Sequence, residues 1–91
     1  VMAGTIPQPG RIALNPLLAD SGRIIGDFTV SCVSPHEFML TASYGAQGWH
    51  SRWFDQRAED GVRVENVSDT RTGFQIAGPR ATELLGRVTR P

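Results

Sequence analysis

The chain has 91 residues, enough for one small domain or part of a larger one, and at this size only roughly 60–65% of the unfolded surface can be buried. Nine basic residues, all arginine, balance nine acidic ones, so charge gives no case for nucleic acid or an anionic membrane as partner. A single cysteine excludes an internal disulfide framework and any multi-cysteine metal site.

Val1 to Gly10 holds two prolines and two glycines without periodicity and is expected to be an irregular lead-in, cut from something longer. Arg11-Ile12-Ala13-Leu14 reads as a short strand stopped by Asn15-Pro16, because proline restricts the preceding residue and lacks a ladder donor. Asp20-Ser21-Gly22 is a turn, and Arg23 to Val33 a long strand, so residues 11–33 form a hairpin. Within that long strand the period of two puts Phe28, Val30 and Cys32 on one face and Asp27, Thr29 and Ser31 on the other. Cys32 is then a buried, inert thiol. Ser34 to Glu37 turns into a third strand, Phe38 to Ala42, which Tyr44-Gly45 breaks.

From Ala46 to Ala58, Trp49, Trp53 and Phe54 fall at helical spacing, and Glu59-Asp60-Gly61 ends the helix. Alternation predicts two further strands, Val62 to Val67 and Gly73 to Ala77, paired with each other. Gly78-Pro79 then opens a short helix with proline at its first position, followed by an apolar stripe of Ala81, Leu84, Leu85 and Val88. The order β-β-β-α-β-β-α with short connections predicts an α+β fold, an antiparallel sheet with two helices. No apolar run approaches the ~18 residues of a membrane span and no signal peptide is visible, so a cytoplasmic location without membrane contact is expected.

Asp27 is the residue with most chemical promise. A carboxylate in a strand, opposite an apolar face, suits a general acid/base or an acceptor for a ligand amine. A solvent-facing aspartate on an edge strand is the alternative. His36 and His50 lack partners at ligand spacing, so both read as surface histidines and no metal site is expected. Trp49, Trp53 and Phe54 could stack a flat ligand, but at helical spacing they read as core. Gly78-Pro79-Arg80 could bind an anion at a helix start, or be only a corner. There is no nucleophile elbow and no glycine-rich phosphate loop.

Five motifs in order carry more than these single residues. Gly22-Arg23-Ile24-Ile25-Gly26-Asp27-Phe28-Thr29-Val30 is followed by Ser34-Pro35-His36-Glu37-Phe38 and by Trp49 to Trp53-Phe54. Val64-Glu65-Asn66-Val67-Ser68-Asp69 and Ile76-Ala77-Gly78-Pro79-Arg80-Ala81 complete the set. From about Pro9 onward the chain resembles the folate-binding domain of the glycine-cleavage T-protein (aminomethyltransferase) family. The Ile-Gly-Asp-Phe-Thr and Ala-Ser-Tyr-Gly wording is most like the C-terminal folate domain of bacterial dimethylglycine and sarcosine dehydrogenases.

The resemblance implies that residues 11–91 are part of a tetrahydrofolate-binding domain. In such enzymes a methylated amine is oxidised at FAD in a separate domain, not in this segment, and tetrahydrofolate takes up the one-carbon unit. The family's catalytic aspartate falls on Asp27, near the folate N10, and the pocket positions on Leu14, Thr29, Ser43 and Tyr44. Ser43 stands where T-proteins often carry a pterin-contacting asparagine, and Leu14 where many carry a tyrosine. Both departures suit the dehydrogenase branch. The chain is short for the family, which implies a fragment that is inactive alone, whose partners are the rest of the parent polypeptide, folate and a small methylated amine, and which can self-associate through an exposed edge. A non-catalytic folate-fold binding module, a glycine-cleavage aminomethyltransferase, and a mere packing layer between domains are the alternatives.

Overall fold

The computed structural model describes residues 4–90; the first three residues of the expected lead-in and Pro91 lie outside them. Three strands, β1 (Ile12–Leu18), β2 (Ile24–Ser34) and β3 (Glu37–Thr41), form one antiparallel sheet in the order β1-β2-β3. Two helices follow, α1 (Gln47–Arg57) and α2 (Ala81–Val88), with single 3-10 turns at Tyr44–Ala46 and Ser68–Thr70. The α+β class is as expected, and the family resemblance is consistent with it.

The β1–β2 hairpin closes over a tight turn. The Ala19 amide donates to the Arg23 carbonyl at 2.9 Å, and Gly22 sits at φ +84°, a region that only glycine enters without strain. β1 does not stop at Asn15-Pro16 but runs on to Leu18, with Pro16 opposite Asp27. It can do so because β1 is an edge strand, where a missing N–H is tolerated. A bulge follows: Leu17 faces Gly26 and Leu18 faces Ile24, leaving Ile25 as the extra residue on β2.

Residues directly opposite in a ladder share a face. Asn15, Leu17, Phe28, Val30 and Cys32 lie on the covered side, where all five are buried. Leu17, fully enclosed, Phe28 and Val30 make the core, and Ile25, Trp53 and Phe54 pack against it. The cover comes from α1 and from the lead-in. The Asn15 amide donates to the Thr5 carbonyl at 3.4 Å, and a Cβ on Gly4 would stand 2.2 Å from Asn15 Oδ1, so no larger residue fits there. Phe28 meets Phe54 edge-on with ring centres 5.8 Å apart, and the Arg57 guanidinium lies 4.5 Å over the Trp53 ring. The aromatic pair Trp53 and Phe54 is therefore core, while Trp49 remains about half exposed.

The two expected strands at 62–67 and 73–77 do not form. Both segments are irregular, and neither finds a ladder partner among the described residues. Their apolar side chains, Val62, Val64, Phe74 and Ile76, stay exposed. Side-chain alternation prepares a segment for a sheet but cannot supply the neighbouring strand. What holds this region is a polar clasp: the Asn66 amide donates to Gln47 Oε1 at 3.1 Å and its oxygen accepts from the Ser68 amide at 3.0 Å. Pro79 also departs from expectation. It lies in the turn before α2, and Arg80 takes the N-cap position.

The resulting shape is open. The radius of gyration is 15.0 Å, against about 12 Å for a compact chain of this length. The accessible surface is 7738 Å², where a compact monomer of this mass exposes roughly 5,200 Å². The apolar stripe of α2, with Leu84, Leu85 and Val88 exposed, is part of that excess.

Candidate functional site

The uncovered face of the sheet is where the candidate residues meet. Register places them in rows: Ile12, Ser31 and Met39 in one, Leu14, Thr29 and Thr41 in the next, and Pro16 beside Asp27 in the third. Leu14 and Thr29, distant in sequence, are thus direct neighbours, and Asp27 stands on the same strand and face as Thr29. Leu14 is 72% exposed and Ile12 69%, so an apolar platform lies open beside the carboxylate. Among the described residues no side chain bonds to Asp27 or pairs with it. Exposed and without a side-chain partner, its carboxyl oxygens are open to the N–H groups of a ligand.

Ser43 and Tyr44 are placed differently. Ser43 lies two residues beyond the end of β3, past the Thr41 that closes the middle row, and precedes the 3-10 turn without capping it through its side chain. Tyr44 begins that turn, and its hydroxyl donates to Asp69 Oδ1 at 2.9 Å. Its phenol is therefore tied to the loop after residue 67. Leu14, Asp27 and Thr29 form one patch; Ser43 and Tyr44 border the next segment of chain.

The Gly78-Pro79-Arg80 corner is occupied internally. Arg80 donates to both carboxylate oxygens of Glu83, at 2.7 and 2.8 Å, and Arg87 reaches the same group at 2.5 Å. Hydrogen bonding to Arg80, helped by Arg87, holds the Glu83 carboxyl below its ordinary range. The guanidinium offered by sequence for an anion is engaged by a neighbour. Among the described residues no three His, Cys, Asp or Glu side chains gather as metal ligands, and no helix is long and apolar enough to cross a membrane.

One residue escaped sequence reasoning. His50 is not at the surface: it is 7% exposed, under the sheet. Its ring packs 4.8 Å from Phe28 and 5.5 Å from Trp49, with Nε2 3.3 Å from the Ile25 carbonyl. A carbonyl only accepts, so this contact requires a hydrogen on Nε2. The signal was available, because His50 stands three and four residues before Trp53 and Phe54, on the same helix face.

A family model described as the GCVT N-terminal domain matches residues 1–91. The chain belongs to this family. Among curated proteins, the mitochondrial dimethylglycine dehydrogenase of Homo sapiens is 32% identical over 92 residues, covering 98% of this chain and 11% of the relative. The enzyme of the same name from Mus musculus gives the same figures. The aminomethyltransferase of Natranaerobius thermophilus is 27% identical over 82 residues, covering 90% of this chain and 22% of the relative. This member of the GCVT family thus spans about a tenth of the length of the dehydrogenases it matches and about a fifth of the aminomethyltransferase. No solved structure matches it.

Proposed function

We propose that this chain is a segment of the tetrahydrofolate-binding domain of an FAD-linked N-demethylating dehydrogenase of the dimethylglycine or sarcosine type, in which Asp27 is the catalytic carboxylate. The observation that carries this is the juxtaposition on one open face of an apolar platform, Leu14, with Thr29 and an unengaged carboxylate, Asp27, in a chain of the GCVT family.

The residues present suit the cofactor in kind. A flat pterin ring needs apolar surface, which Leu14 offers, and its N–H groups need acceptors, which Asp27 and the Thr29 hydroxyl supply. Ser43 and Tyr44, which border the next segment of chain, would reach the cofactor only from beyond the β3 end. When bound, tetrahydrofolate supplies the nitrogens that take up the one-carbon unit. Asp27 would accept a hydrogen bond from the folate nitrogen and take up the proton released as the one-carbon unit is bound there. FAD and the methylated amine meet in another part of the parent enzyme. The remainder of that polypeptide covers the exposed stripe of α2 and the unpaired segments near residues 62–77, and the segment expressed alone self-associates through them. A cytoplasmic setting accords with the unpaired, buried Cys32. The match to a bacterial aminomethyltransferase favours glycine cleavage as the second reading.

Asp27→Asn in the full-length enzyme is the test. FAD reduction by the methylated amine is expected to stay native, while methylenetetrahydrofolate formation falls by about 10²–10⁴-fold. An unchanged yield of folate product rejects the role of Asp27. Lost folate binding without a separate loss in turnover favours a binding module.

A further inference from the structure

We propose that His50 is a positioning residue for Asp27: from beneath the sheet, its Nε2–H holds the Ile25 carbonyl at the β2 bulge and so fixes the backbone from which the carboxylate projects on the opposite face. The inference rests on the reading of Asp27 given above and deepens it.

Three observations converge. Ile25 is the extra residue of the bulge, where Leu17 faces Gly26 and Leu18 faces Ile24, so the regular ladder does not fix its direction. Bulges re-aim the side chains beside them, and Asp27 is two residues further on. His50 supplies a side-chain donor to that carbonyl at 3.3 Å from a buried site. Gly26, between the bulge and Asp27, has no side chain where His50 approaches: a Cβ there would lie 2.8 Å from Nε2 and 2.9 Å from Phe28 Cε2. Glycine is needed there for a close approach, since its φ is not positive. The imidazole, itself fixed between Phe28 and Trp49, acts as a rigid peg on which the strand is hung.

The test uses the full-length enzyme and three substitutions. His50→Phe keeps a ring against Phe28 but has no donor, and His50→Leu serves the same purpose with less crowding of Gly26. His50→Gln carries its amide nitrogen the same number of bonds from Cα as Nε2 and can restore the bond. Hydrogen exchange is measured over residues 24–28 in the enzyme without folate, alongside folate affinity and single-turnover transfer. For the Phe and Leu variants, faster exchange across 24–28 is expected. Transfer should drop at least tenfold, and toward 10²-fold if the carboxylate moves by about 1 Å. Folate affinity should change less than about threefold, because the loss is one of transition-state geometry. The Gln variant recovers both exchange protection and transfer. Native exchange and transfer in the Phe or Leu variant overturn the proposal, as does a Gln variant as impaired as they are, which would assign the effect to ring packing. Asp27→Asn is the control. If it leaves transfer native, the reading of Asp27 has failed, whereas the exchange data still decide whether His50 holds the bulge.

Discussion

Gly26→Ala tests the packing under the bulge with a single methyl group. Position 26 is not in the left-handed region, so alanine meets no backbone penalty there, and the reduced freedom of the unfolded chain alone would stabilise by about 0.4–1 kcal/mol. Against this stands a steric conflict: the new Cβ would lie 2.8 Å from His50 Nε2, 2.9 Å from Phe28 Cε2 and 3.4 Å from His50 Cε1. Both rings are buried, Phe28 at 4% exposure, and neither is the loose end of a flexible chain. Overpacking of this kind costs typically 1–3 kcal/mol. The net expectation is a loss of about 1–2 kcal/mol. In a domain this small each kcal/mol moves Tm by about 4–8 °C, so calorimetry of the domain's transition resolves it. Repeating the substitution in a His50→Ala background removes two of the three close contacts. A coupling of about 1 kcal/mol between the two sites should then appear. A Gly26→Ala protein with native or raised Tm, or one whose loss is the same with and without His50, would refute the packing account.

Leu17→Ala removes the one fully enclosed large side chain among the described residues and is expected to cost about 2–3 kcal/mol, the lower part of the usual range because half-buried Trp53 and Phe54 can settle inward, read by denaturant midpoint. Asn66→Ala breaks the clasp to Gln47 and Ser68, and should cost about 0.5–1 kcal/mol while raising hydrogen exchange over residues 66–70 and sparing α1. Glu83 has a folded-state pKa lowered chiefly by its bond to Arg80, so its contribution to α2 is present above the ordinary carboxylate range and lost as pH falls through the depressed value. Acid titration followed by NMR at α2 should show this loss, and Glu83→Gln should abolish the pH dependence.

Much of the sheet was legible because its signals are local. β2 carries a period of two over a long run, the turn before it carries Gly22 where φ is positive, and α1 declares itself through Trp49 and Trp53. The side of the sheet on which Asp27 stands followed from the same period. Pro16 misled because a proline stop is decisive only in a central strand, and strand order is a tertiary property. The segments at 62–67 and 73–77 misled for the converse reason: their alternation is real, but a strand exists only with a partner. His50 was misplaced because an imidazole is amphipathic, and its neighbours Trp53 and Phe54, not its own polarity, decide its side of the helix. The pairing of Leu14 with Thr29 needed the hairpin register, and the Tyr44–Asp69 bond joins residues too far apart for any local pattern.

On the proposed reading, the two faces of β2 separate stability from chemistry. Phe28, Val30 and Cys32 are buried, the first two in the core that Trp53 and Phe54 pack against, so changes there are felt first as unfolding. Asp27 and Leu14 on the other face are exposed, and Thr29 is only partly covered by its strand neighbours, so polar replacements cost little of the hydrophobic stabilisation that holds the sheet. A substitution on the open face that abolishes folate chemistry while leaving Tm unchanged therefore reports on function directly. The bulge at Ile25 is where the two faces are mechanically joined, because there a buried side chain, His50, meets the backbone that aims an exposed one. It follows that substitutions at Gly26 and His50 should affect stability and transfer together, whereas those at Leu14 and Thr29 should affect transfer alone.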